Sequence, residues 1–193
     1  AALQDQLNED FVKVIDLIFK SNSRLVITGI GKSALIGMKI TATLNSTGTR
    51  SIFMHAADAI HGDLGMVAKE DIVVFISKSG NTPEIKALVP LVKAMGNNII
   101  GMTGNPSSFL AKESNYVLSV AIQKEACPNN LAPTTSTTAQ LVMGDAIAIC
   151  LLEMRGFDKN NFAQFHPGGS LGKALYLKVN ALVDPKNIPA VQP

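Results

Sequence analysis

"VVFISKSGNTPEI" (73–85) joins a run of apolar and β-branched residues to six small, polar or basic ones, and then to Pro83 and Glu84. Ser77, Ser79 and Thr82 bring hydroxyls, Gly80 lets the backbone turn, and a helix starting after Thr82 would aim free N–H groups at whatever sits there. That combination suits a phosphate dianion. A capped turn would use the same Ser and Thr residues, which favour helix starts. Lys78, and Lys32 in "GIGKS" (29–33), add positive charge that capping does not require.

"GIGKS" is not a nucleotide motif. A P-loop needs a glycine five residues before Gly31, where Val26 stands. A dinucleotide fingerprint wants an acid at the end of the next strand, where "IFMHAAD" has His55. A smaller phosphate ligand, such as a sugar phosphate, fits both loops. The three histidines, His55, His61 in "DAIHGDLG" and His166 in "FHPGGSLG", all fall at strand ends or in glycine-bearing loops, and none sits mid-helix. Two carboxylates stand out. Glu84 lies in the first turn of a helix, where complementing the dipole is role enough. Glu125, in "QKEACPNN", directly follows an apolar run, where no dipole accounts for it, and is the stronger candidate acid or base. Cys127 beside it reads as a small residue before Pro128.

The elements that must position these groups alternate along the chain. Short apolar runs at 24–29, 50–55, 71–77, 97–104 and 116–121 read as strands. Helical spacing covers 33–48, ended by Gly48, 107–114 and 135–156. A helix over 82–96 opens with Thr82 as cap and Pro83 at its first position, and Pro90 should disturb its second half. Leu3, Leu7, Phe11, Val14, Ile15 and Ile18 predict one N-terminal helix with an apolar face. Near-continuous apolar strands alternating with helices mean a parallel sheet covered on both sides. The expected fold is a three-layer α/β/α sandwich in the flavodoxin-like order 2-1-3-4-5. Its ligand crevice should lie where strands 1 and 3 diverge.

With 193 residues, 47% of them hydrophobic and none Trp, the chain can build one sizeable core from Val, Ile, Leu and Ala. A net charge of +2 argues against nucleic-acid and polybasic membrane partners. Two cysteines are too few for a disulfide framework or zinc cluster and suit a reducing compartment. No unbroken apolar run reaches membrane length, and the acidic N-terminus is unlike a signal peptide. The chain reads as soluble and cytoplasmic.

"GIGKSALIG", "IHGDLGMV", "ISKSGNTPEI", "KEACPNNLAPTTSTTA" and "FHPGGSLGK" resemble, in order and spacing, the sugar isomerase (SIS) domain of bacterial arabinose 5-phosphate isomerases, from about Arg24 to Leu182. The resemblance implies interconversion of D-ribulose 5-phosphate and D-arabinose 5-phosphate, feeding synthesis of Kdo for lipopolysaccharide or capsule. It implies a catalytic set of Lys32, His61, Glu84, Glu125 and His166. Ser77, Ser79 and Thr82 would hold the phosphate with Gly80 and Lys78, and Gly31, Ser33 and His55 would line the pocket. An enediolate route needs a carboxylate to carry the proton, Glu125 before Glu84, and a cation such as Lys32 beside the oxyanion. His166 or His61 could shuttle protons near neutrality. The family implies homotetramers without metal or other cofactor, with His166 reaching a neighbouring subunit's pocket.

Read as it stands, the chain is a short form of the family, a domain over 1–183 and a tail over 184–193 without CBS modules. Lys78 replaces a residue usually uncharged in the family, an added cation beside the phosphate, and Ala34 stands where Gly is common. Two other readings use the same loop: a related SIS enzyme acting on another phosphosugar, and a non-catalytic phosphosugar sensor. A sensor needs the Ser/Thr loop but not Glu125 or His166.

Overall fold

Every strand expected from the apolar runs forms. The computed structural model describes residues 3–169 together with 172 and 173, and the chain divides into two units, Ala1–Arg155 and Gly156–Pro193. In the first unit the elements run α1 (Glu9–Lys20), β1 (Leu25–Gly29), α2 (Lys32–Ser46), β2 (Ser51–His55), α3 (Ala56–Ala59), β3 (Ile72–Ser77), α4 (Pro83–Ala94), β4 (Asn98–Thr103), α5 (Phe109–Glu113), β5 (Tyr116–Ser119) and α6 (Thr135–Met154). The second unit contributes α7 (Lys159–Phe165). The boundary expected at 183/184 and the tail beyond it lie outside the described residues.

The sheet has five strands in the order β2-β1-β3-β4-β5, all parallel. Successive strand residues point to opposite faces. Leu25 and Ile27 of β1, Ile72, Val74 and Ile76 of β3, and Ile100 and Met102 of β4 pack with α1, α2 and α6. Val26, Val73, Phe75 and Ile99 face the other way and pack with α3, α4 and α5. The three-layer sandwich and its strand order are therefore as the sequence implies. The helices after β1 and β3 lie on opposite faces, which opens the crevice between those strands.

Three helices differ from expectation. The N-terminal helix begins later, because the Asn8 side chain accepts from the N–H groups of Asp10 and Phe11 and starts α1 there. Gln4–Gln6 form a separate 3₁₀ turn, and Leu7 is 45% exposed in extended backbone. α4 continues through Pro90 to Ala94. Pro90 and Lys86, whose carbonyl loses its donor, are both exposed, while Leu88, Val89 and Val92 hold the other face fully buried. α6 is long and apolar enough to cross a membrane, at mean hydropathy 1.3 over an 18-residue window, a property that counting unbroken apolar runs misses. Its Ala139, Met143, Ile147 and Leu151, at helical spacing, are buried in the core.

α6 and α2 meet closely. A Cβ placed on Gly144 would lie 2.4 Å from Ile40 Cδ1, a buried side chain that is stiff in a helix. Gly144→Ala gains helix propensity but overpacks this crossing, so chemical denaturation should show a net loss of roughly 1–2 kcal/mol. Unchanged stability would mean that Ile40 yields without strain.

Candidate functional site

The crevice is built by loops that each run straight into a helix. After β1, Gly31 takes φ +59° at the N-cap of α2, so Lys32 and Ser33 open that helix with no side chain capping their N–H groups. After β3, the Ser77–Thr82 loop is tied internally. Ser77 Oγ accepts the Gly80 N–H at 3.1 Å and Ser79 Oγ accepts the Asn81 N–H at 3.3 Å. Each hydroxyl proton is then available to a ligand oxygen. The loop is also braced from outside: the Lys78 carbonyl accepts from the Gly104 N–H and Thr103 Oγ1, and the Gly80 carbonyl from the Leu110 N–H. Gly80 has φ +63°, and a Cβ there would sit 2.2 Å from Ser108 Oγ. Thr82 occupies the N-cap of α4, but its hydroxyl does not cap the helix and is buried without a partner among the described residues.

The third contributor is the segment between β5 and α6. Glu125 is 1% exposed, and five donors converge on its carboxylate. Oε1 accepts from Lys78 Nζ at 2.7 Å and Ser136 Oγ at 2.5 Å. Oε2 accepts from the Thr134 N–H at 2.9 Å, the Ser136 N–H at 3.1 Å and Thr134 Oγ1 at 3.2 Å. Asn130, at φ +55°, closes the turn by accepting the Glu125 N–H at 2.7 Å. Burial alone would raise the pKa of Glu125. The bonds from Lys78, Ser136 and the backbone N–H groups outweigh it and hold the carboxyl well below the ordinary carboxylate range. A carboxylate has about four lone-pair sites, so this one has none left for a substrate proton. The expectation that Glu125 leads proton transfer therefore meets a geometry suited to anchoring. Likewise Lys78, expected as an added free cation, spends its charge on Glu125.

These loops enclose a cleft of about 280 Å³ lined by Lys32, Ser33, Ser77, Lys78, Ser79 and Thr82, and on its α6 side by Pro133, Ser136, Thr137 and Gln140. Lys32 is exposed and has no hydrogen-bond or ion-pair partner among the described residues. Gly31 and Gly80 shape the walls without lining them. Four other expected residues are not among the lining residues. His55 ends β2 with Nδ1 3.5 Å from the Asp58 carboxylate, and His61 is exposed in the turn after α3. Glu84 is half-buried in the first turn of α4. His166 belongs to the second unit, where its ring stacks on Phe162 at 3.9 Å and Nδ1 lies 2.8 Å from the Phe162 carbonyl oxygen. Sequence reasoning missed the α6 wall. The cluster "TTSTTAQ" at the start of an apolar helix was its visible signal.

The family model described as the SIS domain matches residues 17–150. Arabinose 5-phosphate isomerase KdsD of Pseudomonas aeruginosa is 53% identical over 178 residues, covering 92% of this chain and 55% of that protein. Arabinose 5-phosphate isomerase KpsF of Escherichia coli O6:H1 is 49% identical, covering 100% of this chain and 60% of that protein. The chain thus spans little more than half the length of these curated relatives. Among solved structures, an E. coli CFT073 protein in complex with arabinose 5-phosphate superposes with a TM-score of 0.81 at 40% identity, covering 86% of this chain and 90% of that one.

The anchoring of Glu125 has a measurable consequence. Its folded pKa lies below its unfolded one, so its stabilisation is complete above the ordinary glutamate pKa of about 4.3 and is lost as pH falls from there toward the folded value. Asp71, paired with Arg24 at the amino-terminal ends of β1 and β3, is lowered in the same sense despite its burial. Glu125→Gln should lower stability at neutral pH by about 2–4 kcal/mol, the half-exposed Lys78 moderating the loss. The variant's stability should also fall less steeply than wild type between roughly pH 5 and 3. Denaturant titrations across that range would reveal it, and parallel curves would mean that the pairing is not formed in solution.

Proposed function

The chain belongs to the SIS domain family, and from that premise we propose that it is an aldose–ketose isomerase interconverting D-ribulose 5-phosphate and D-arabinose 5-phosphate. The observation that carries the reading is the cleft itself. It brings hydroxyls of Ser77, Ser79 and Thr82, from the end of β3 to the start of α4, together with the ammonium of Lys32 at the start of α2, unpaired among the described residues. The hydroxyls suit a phosphate dianion and the ammonium an oxyanion. The relatives named arabinose 5-phosphate isomerase support the choice of substrate, and so does the related structure with arabinose 5-phosphate bound. The product would supply Kdo synthesis for lipopolysaccharide or capsule in the cytoplasm.

In this mechanism the phosphate is held by the β3–α4 loop, and binding energy from that end positions carbons 1 and 2 near Lys32. A base removes the C1 proton of ribulose 5-phosphate, Lys32 stabilises the enediolate oxygen, the O1 hydroxyl proton passes to O2, and return of the carbon proton to C2 gives the aldose. Of the two carboxylates Glu84 is the one free to act as base, because it has no partner among the described residues while Glu125 is saturated. It does not line the cleft and would reach the substrate from the first turn of α4. Glu125 holds Lys78 and the start of α6. His61 and His166 would complete the site, His166 from a neighbouring copy in a homotetramer.

Proton NMR with ribulose 5-phosphate in D₂O tests the reaction. Wild type should yield arabinose 5-phosphate deuterated at C2, and Glu84→Gln should turn over about 10²–10⁴-fold more slowly. A fully active Glu84→Gln beside a folded, inactive Glu125→Gln would return the base to Glu125. A wild-type chain without turnover would point to another phosphosugar or a sensor. Sharing of sites has its own test: two inactive variants, Lys32→Ala and His166→Ala, should regain partial activity when assembled together. Activity that stays absent would place each complete site within one chain.

A further inference from the structure

Six buried polar side-chain atoms among the described residues lack a hydrogen-bond partner, and two of them, Thr82 Oγ1 and Gln140 Nε2, belong to residues lining the cleft. Thr82 sits at the phosphate loop. Gln140 is a different case, since nothing in its local sequence calls for an amide. It lies in the second turn of α6, 1% exposed, between the buried Ala139 and Met143. Its neighbours on the same wall are satisfied: Ser136 Oγ donates to Glu125, and Thr137 Oγ1 donates to the Thr134 carbonyl at 2.9 Å. Gln140 Oε1 accepts from Ser33 Oγ at 3.3 Å, which leaves both amide hydrogens unused. An apolar side chain of the same length would fill the space without burying an unsatisfied donor, so the amide weakens the unliganded fold.

We propose that Gln140 is a substrate-binding residue whose amide bonds a hydroxyl or carbonyl oxygen of the sugar portion of the ligand. This deepens the isomerase reading and rests on it. The sugar is favoured over the phosphate because of what Gln140 already touches. Its partner Ser33 is adjacent to Lys32 in the first turn of α2, a different element from the β3–α4 loop whose hydroxyls suit the phosphate. Gln140 lines the cleft although Nε2 itself is buried, so a turn of the outer side chain would bring the amide to a ligand. A Ser hydroxyl can donate or accept, so Ser33 stays bonded whichever way the amide faces. Gln140 can therefore present a donor to a carbonyl or an acceptor to a hydroxyl, which suits a substrate that exchanges those two groups.

The test uses Gln140→Met, which keeps length and helix preference, with Gln140→Leu as a second variant should methionine fail to fold. Calorimetric titration with arabinose 5-phosphate and with inorganic phosphate, beside thermal denaturation without ligand, reads out three quantities. Expected are a roughly tenfold weaker sugar phosphate affinity, unchanged inorganic phosphate affinity, and a melting temperature equal to or above wild type. Undiminished sugar phosphate affinity with a lower melting temperature would make Gln140 merely structural. Equal weakening for both ligands would place its contact on the phosphate and overturn the assignment. Wild-type protein that neither binds nor converts a pentose phosphate would sink the isomerase reading, and this inference with it, before any variant is compared.

Discussion

The carboxylate of Glu125 ties together parts of the chain that sequence keeps far apart. Through Oε1 it fixes Lys78, in the loop after β3, and through both oxygens it fixes the first residues of α6. A buried anion is tolerable only when paired and fully hydrogen-bonded, and here the requirement is met by the loops that make the cleft. Removing any one donor leaves the others holding an under-compensated charge. The cleft wall formed by Ser136, Thr137 and Gln140 therefore stands in register with the β3–α4 loop because of one side chain. At a helix N-terminus, a carboxylate also meets the positive end of the peptide dipoles. The same glutamate thus caps α6, neutralises Lys78 and leaves Lys32 as the cation of the cleft that is unpaired among the described residues.

The sheet supplies the other constraint. With β1 and β3 adjacent and α2 and α4 on opposite faces, two helix starts must converge at their carboxyl ends. Each entry uses a glycine at positive φ, Gly31 before α2 and Gly80 before α4, but for different reasons. Gly31 has open space around it, so only the backbone angle matters there, whereas Gly80 is also pressed against Ser108 and Thr103. That second contact links the β3–α4 loop to β4 and α5. A rigid scaffold beneath short loops is the usual way to hold polar groups ready for a ligand.

The sequence made the sheet legible because its strands are continuous apolar runs and its ligand loops are sharply polar. Val73, Phe75 and Ile76 could hardly be read otherwise, and neither could the break at Ser77. Local effects were less visible. Asn8 starts α1 by catching two N–H groups, a preference that the helical spacing of Leu3 and Leu7 concealed. Pro90 survives inside α4 because its lost donor faces water while the opposite face is locked in the core, a fact of tertiary placement. The role of Glu125 was hidden for the same reason. Its donors lie on Lys78, 47 residues away, and on Thr134 and Ser136, so the residue looks free in sequence and is fully engaged in the structure. Glu84 reads the opposite way: in sequence it is a dipole partner, and in the fold it is an acid next to the phosphate loop, unpaired among the described residues.

Around the cleft, polar groups are satisfied where they build the scaffold and left unsatisfied where a ligand would enter. Ser77, Ser79, Ser136 and Thr137 accept or donate within their own loops and so fix shape. Thr82 Oγ1 and Gln140 Nε2 are buried beside them without a partner among the described residues. Folding alone favours the reverse, since an unmade bond at a buried atom destabilises more than a made one contributes. Two such atoms on the walls of one cleft are better explained by a bound state than by the free fold, in which they would be simple defects. The cleft is then incomplete without its ligand: the stability withheld from the empty protein becomes affinity when oxygen atoms of the right spacing arrive.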